Sequence, residues 1–178
     1  MLLFNGGYFS LITWTPVLLV RVLGATQSEA GFVTSLITAG SIIAWPLVGL
    51  LTDRFGGRKV VVILSQAATG LLCLAYAFVV PQLALWGAAL VAFGAGLFTA
   101  GMILTTVMAV ELFPPELAGT VTSVVNTFFF IGAFTVPVLL GRVLDLTQSF
   151  PHAFVTAAAV QLLAVLTASF IKEPARGR

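Results

Sequence analysis

Proline, glycine and charged clusters divide the chain into six long apolar runs, at about 2–22, 30–51, 60–80, 83–109, 118–142 and 152–171. Each is close to the length that carries a helix across a hydrocarbon core, about 20 residues for about 30 Å. Merging them into fewer, longer helices would place Asp53, Arg54, Arg58 and Lys59 in hydrocarbon, at roughly 2.5–3.5 kcal/mol each. Residues 53–59 are therefore expected to form a loop. The pattern predicts an all-α integral membrane protein of six transmembrane helices, here numbered spans one to six.

Charge then orients the spans. With an even number of crossings, both ends share one side of the membrane with the 53–59 and 111–117 loops. That side holds Arg54, Arg58, Lys59, Lys172, Arg176 and Arg178, against Arg21 and Arg142 on the other. The excess of basic residues on cytoplasmic loops predicts a multi-pass protein of the cell membrane with both termini cytoplasmic. Glu111 and Glu116 weigh little in that rule.

Composition narrows the class further. Of 178 residues, 60% are hydrophobic and 8% charged, against roughly 25% charged in a soluble domain, so lipid is the solvent of most of the surface. The net charge of +2 reads as membrane topology, and nucleic acid is not an expected partner. One cysteine (Cys73) and one histidine (His152) exclude an internal disulfide and a His/Cys metal centre within one copy; no metal or other cofactor is expected. Neither end reads as a targeting signal, and the first run begins abruptly inside a span, which fits a truncated start.

A shift of 88 residues lays Gly31-Phe32-Val33-Thr34-Ser35-Leu36-Ile37-Thr38 over Gly119-Thr120-Val121-Thr122-Ser123-Val124-Val125-Asn126, each opening a helix. Further on, Pro46 and Gly49-x-x-x-Asp53 parallel Pro137 and Gly141-x-x-x-Asp145 once about one helical turn is inserted. The repeat relates spans one to three to spans four to six. Three is odd, so the two copies are expected in opposite orientations, a 3+3 inverted repeat.

The run Gly49-Leu50-Leu51-Thr52-Asp53-Arg54-Phe55-Gly56-Gly57-Arg58-Lys59 ends one span, turns and opens the next. It resembles the loop signature of the major facilitator superfamily, Gly-x-x-x-Asp-Arg-x-Gly followed by basic residues, with Gly57 standing where the first basic residue is expected. Glu111-Leu112-Phe113-Pro114-Pro115-Glu116 is similar to the family's acidic, proline-containing loop before the fifth helix of a half. The resemblance implies that residues 1–178 are a single six-helix half-domain of the transporter fold. Span four carries no arginine near its start, and Tyr8…Trp14-Thr15-Pro16 and the tail Lys172-Glu173-Pro174-Ala175-Arg176 resemble the seventh and twelfth helices of a full transporter. The expected half is therefore the C-terminal one. Gly49, Asp53, Arg54, Gly56, Arg58 and Lys59 are then the gating motif, whose Asp latches onto the opposite half in the outward-open state. The plainer alternative is that Asp53 and Arg58 fix topology and cap span three.

Intramembrane polar groups mark a pathway in such proteins, and here all are uncharged. Asn5, Tyr8 and Thr15 fall on one stripe of span one, and Thr34, Thr38, Ser41 and Trp45 on one of span two. Thr99, Met102 and Thr106 mark span four; Ser123, Asn126, Thr127 and Phe130 mark span five. In the family, spans one, two, four and five of a half line the central cavity while three and six face lipid. Asn5, Tyr8, Trp14, Thr38, Thr106, Asn126 and Phe130 are thus the candidates for the substrate cavity. Against this, Ser and Thr in membrane helices often bond their own backbone or join helices, and Trp14 fits either an aromatic wall with Tyr8 or an interface anchor. Gln66 and Gln161 are expected to pack, and Glu111 to be solvated.

The expected function is transport of a small organic solute by alternating access, as half of a major facilitator secondary transporter. The expected partners are lipid, the solute and a second six-helix half, either a missing N-terminal half or another copy. The alternative is a non-transporting membrane interaction module or an inert remnant of a transporter. An intramembrane enzyme is disfavoured, since no Ser/His/Asp or Cys/His set lies at membrane depth, and no catalytic residues are assigned.

Overall fold

The computed structural model describes residues 1–171, which leaves Lys172, Arg176, Arg178 and the rest of the tail outside the described residues. The chain forms α1 (Leu2–Leu23), α2 (Gln27–Phe55), α3 (Arg58–Phe78), α4 (Leu85–Phe98), α5 (Gly101–Glu111), α6 (Ala118–Thr147) and α7 (Phe150–Ser169). Taken together, α4 and α5 make one span, so six spans are long and apolar enough to cross a membrane.

Local chemistry sets the boundaries. Gly24, at φ 68, ends α1 in a left-handed turn. Thr26 and Glu29 then form a capping box for α2, the Thr26 hydroxyl accepting from the Glu29 amide at 3.3 Å while Glu29 accepts from the Thr26 amide at 2.9 Å. Two departures from the hydropathy reading follow from helix length. The 53–59 segment is not a loop: α2 continues through Phe55 and α3 opens at Arg58, joined only by Gly56 and Gly57 at φ 74 and 75. Likewise α6 runs through Arg142 and Asp145 to Thr147. At 1.5 Å per residue these two helices are about 44 Å long, so their charged last turns stand beyond the hydrocarbon while still helical.

Packing follows the expected inverted repeat. Spans three and six (α3 and α7) pack against each other, and span one packs on span five as span four packs on span two. Exchanging spans one to three with four to six maps this pattern onto itself. Glycines make both diagonal contacts possible. A Cβ on Gly40 of α2 would strike Phe93 O of α4, and one on Gly96 would strike Ile37 O. On the other diagonal, a Cβ on Gly132 of α6 would strike Leu2 O of α1, and one on Gly6 would strike Val136. Gly40 and Gly132 are 92 residues apart, the 88-residue shift plus the inserted turn. Backbones approach this closely in lipid because dispersion, rather than exclusion of water, holds membrane helices together. The outward faces of α3 (Leu64, Leu71, Phe78) and α7 (Leu162, Leu166) are apolar and open, as lipid requires.

Candidate functional site

The end of the bundle that carries Asp53 is organised by one guanidinium. Gly56 and Gly57 turn the chain so tightly that Arg58, the first residue of α3, folds back on α2 and reaches Asp53 Oδ1 at 2.7 Å. Its other nitrogen meets both oxygens of Glu111 at the end of α5, at 2.6 and 2.5 Å. Arg58 thus fastens the ends of α2 and α5 to the start of α3. Its side chain is 23% exposed, against 66% for Asp53 and 41% for Glu111; the planar fork matches two carboxylates at once. Glu111, expected to be solvated, is a member of this cluster. The signal in the sequence was only that two oppositely charged helix ends lie on the same side of the membrane.

Other motif residues are placed differently. Lys59 donates to Ser169 O at the end of α7 at 2.7 Å, meeting the helix's free carbonyl end with a cation. Arg54 is exposed, its guanidinium 5.7 Å from the Phe55 ring centroid. A Cβ on Gly49 would meet open space, so no contact within these spans requires a glycine there.

The polar residues at membrane depth separate into two groups. Asn5, Tyr8 and Thr15 are buried inside the bundle, at 0%, 5% and 0% exposure. Asn5 donates to Met1 O at 3.2 Å and its Oδ1 has no partner among the described residues. Tyr8 OH lies 3.4 Å from Ser41 Oγ, which lies 3.0 Å from Thr99 Oγ1. Half-buried Trp14 donates to Pro137 O of α6 at 3.0 Å, its ring over Gly141, and so ties span one to span five. The second group lies open: Thr38, Asn126 and Phe130 are exposed and Thr106 half-buried. Most Ser and Thr hydroxyls bond a carbonyl of their own helix, Thr34, Thr52, Thr69, Ser123 and Thr127 among them. No side-chain hydrogen bond within the described residues is made by Thr38, Thr106 or Asn126.

Both glutamines pack. Gln161 donates to Phe4 O at 3.2 Å, crossing α1 where Gly7 leaves room, and Gln66 is 4% exposed against the same interface. Span five is the least enclosed, with 22% of its central window buried against 33–56% for the others. Asn126, Phe130 and Phe134 are exposed along it.

The profile of the Major Facilitator Superfamily matches residues 1–178. The chain belongs to the major facilitator superfamily. A probable galactarate/D-glucarate transporter, GudP of Escherichia coli strain K12, is 29% identical over 171 residues, covering 92% of this chain and 37% of that protein. A probable nitrate/nitrite transporter of Mycobacterium tuberculosis, NarK2, is 27% identical over 174 residues, covering 95% of this chain and 43% of its own. The glycine betaine/proline/ectoine/pipecolic acid transporter OusA of Dickeya dadantii is 26% identical over 183 residues, covering 96% and 34%. The chain therefore spans between about a third and a little over two fifths of these relatives. They are transporters and not enzymes, and a multi-pass membrane protein is what six spans of this family make.

Proposed function

We propose that residues 1–178 form the C-terminal half of a secondary transporter that moves a small polar solute by alternating access, rocking against a second six-helix half. The observation that carries this reading is the open, unbonded polar group of Thr38, Thr106 and Asn126 on spans two, four and five. Uncharged polar side chains left without partners at membrane depth are costly in lipid, and a solute between two halves gives them partners. The substrate cavity on this reading is formed by Thr38, Thr106, Asn126 and Phe130, with Asn5, Tyr8 and Trp14 holding the wall behind it. Asp53 and its motif then gate the cycle at the cytoplasmic face, and both termini lie on that side of the cell membrane.

The solutes named for the relatives are acids, inorganic anions and zwitterions. Among the described residues no charged side chain lies at membrane depth, so for such a solute the second half supplies the countercharge. The test is flux of labelled galactarate, nitrate and glycine betaine into proteoliposomes holding this chain alone or together with a candidate N-terminal half. Flux with the pair only is the expected result. Absence of flux from both preparations across a wider solute panel points instead to a non-transporting module.

A further inference from the structure

We propose that the lipid-facing seam between α3 and α7 binds a membrane-dissolved molecule with an apolar body and one hydroxyl group, held by the carboxamide of Gln66. The two helices pack side by side, and small residues set how deep the seam is. A Cβ on Gly70 would meet Gln161 Cβ at 3.3 Å, so the helices approach closely there. Ala67, Ala158 and Ala159 keep the outer side of the contact hollow, between rims formed by Leu71 and Leu162 at 67% and 61% exposure. The result is a groove of about 460 Å3. Sites for small molecules fall in this range, and they combine apolar walls with a few placed polar groups.

Apolar walls alone would describe any seam that faces lipid. Two glutamines set this one apart. Gln66 and Gln161 both border the groove, at 4% and 0% exposure. Each stands eight residues from the cytoplasmic end of its helix, about 12 Å in, so the two carboxamides share one level. Gln161 is committed, its Nε2 donating to Phe4 O at 3.2 Å. Gln66 is not: its side chain makes no hydrogen bond among the described residues, and its Oε1 is shut off from solvent. Nearby hydroxyls avoid that cost by bonding their own helix, as Thr69 does to Ser65 O at 2.8 Å.

The chemistry of the ligand follows from what Gln66 lacks. A carboxamide offers an acceptor oxygen and two N–H donors. A hydroxyl both donates and accepts, so it satisfies Oε1 or Nε2, whereas a hydrocarbon chain satisfies neither. The terminal torsion of a glutamine is broad, which lets Oε1 turn into the groove at small cost. An ionised headgroup is a poor fit, because no residue lining the groove is charged. A neutral glycerolipid with a free hydroxyl and a free membrane alcohol or phenol share the required chemistry.

The experiment uses a long-chain alcohol with a diazirine in its tail, photolysed with the protein in lipid nanodiscs and mapped by mass spectrometry. Label is expected on Leu71, Leu74 and Leu162, about fivefold stronger than from the methyl ether of the same alcohol, which keeps the chain and loses the donor. Gln66→Leu should bring the alcohol down to the level of the ether. It should also melt no lower than the parent, since Gln66 bonds nothing among the described residues. Ala159→Leu fills the groove from an exposed position and should lower labelling by both probes. Equal labelling of the unsubstituted protein by alcohol and ether overturns the proposal, whether or not Gln66→Leu folds. Label on Thr105 or Met108 instead also overturns it, because these line a separate inner cavity of about 430 Å3 that Gln66 borders too. Displacement of the probe by excess dioleoylglycerol assigns the site to a glycerolipid, and displacement by 2,6-diisopropylphenol alone assigns it to a free alcohol or phenol. Displacement by neither overturns the site. The labelling needs no solute, so its outcome stands apart from that of the transport reading.

Discussion

Glycines on the diagonals are not interchangeable with those on open faces, although composition treats them alike. Gly96 faces Ile37 O across α2, while Gly94, two residues earlier, faces open space. Gly96→Ala forces the two backbones apart and should lower stability by about 1–3 kcal/mol, the usual cost of overpacking, whereas Gly94→Ala should leave it within error. Thermal unfolding in detergent, followed by the reactivity of buried Cys73, separates the two; equal melting temperatures would refute the contact. At this scale the sequence was legible only in part. It showed that Asn5, Tyr8 and Thr15 share a stripe, but not whether that stripe faces inward. Uncharged polar groups suit either face of a membrane helix, because neighbouring helices or a solute can satisfy them. The open group Thr38, Thr106 and Asn126 is told apart from the back-bonded hydroxyls only by hydrogen-bond geometry, which spacing does not encode.

The helices themselves were legible because hydrophobic runs near 20 residues leave little freedom in lipid. Their ends were harder to place, since a helix continues past the hydrocarbon wherever its last turn is stable, as α2 does through Asp53 and Arg54. The break in span four left no mark in the hydropathy pattern either: Thr99-Ala100-Gly101 is as apolar and small as its surroundings, and the Gly101 amide bonds Ser65 Oγ of α3. The Gly56-Gly57 link is the opposite case: the sequence turns there between two spans, and both glycines stand at positive φ. Gly57, at φ 75 and ψ 33, is left-handed with open space around it. Strain alone therefore opposes substitution there: Gly57→Ala should destabilise by about 1–2 kcal/mol, and Gly57→Asn by less, since asparagine tolerates that region. Equal losses for the two, measured by urea or thermal unfolding in detergent, would mean that the loop relaxes out of this conformation.

For the whole molecule, the ion cluster and the open polar face would, on the transport reading, make different demands on a second half. Asp53→Asn removes one of the two anions on Arg58 and leaves Glu111 in place. If the motif Asp also latches the opposite half in the outward-open state, the substitution should shift the complete transporter inward. A cysteine placed in the cavity would then react faster from the cytoplasmic side, by up to about fivefold, the shift that an exposed ion pair of about 1 kcal/mol supports. An unchanged rate from both sides would reduce Asp53 to a topological and capping role.

Stability and transport should also come apart at the two carboxamides that the structure places most differently. Gln161 is enclosed, with 0% exposure, and donates to Phe4 O across α1. Asn126 is exposed and its side chain makes no hydrogen bond within the described residues. Gln161→Ala leaves a cavity and removes a side-chain tie to Phe4 O between α7 and α1, and should lower the melting temperature while leaving KM of the surviving protein unchanged. Asn126→Ala removes nothing that this half uses for folding, so its melting temperature should match the parent. If Asn126 meets the solute, the same substitution should lower kcat/KM by roughly tenfold, the worth of one hydrogen bond made in the transition state for transport. The reverse outcome, Asn126→Ala unstable but kinetically normal once folded, would assign the open face of span five to packing against the second half and remove Asn126 from the cavity.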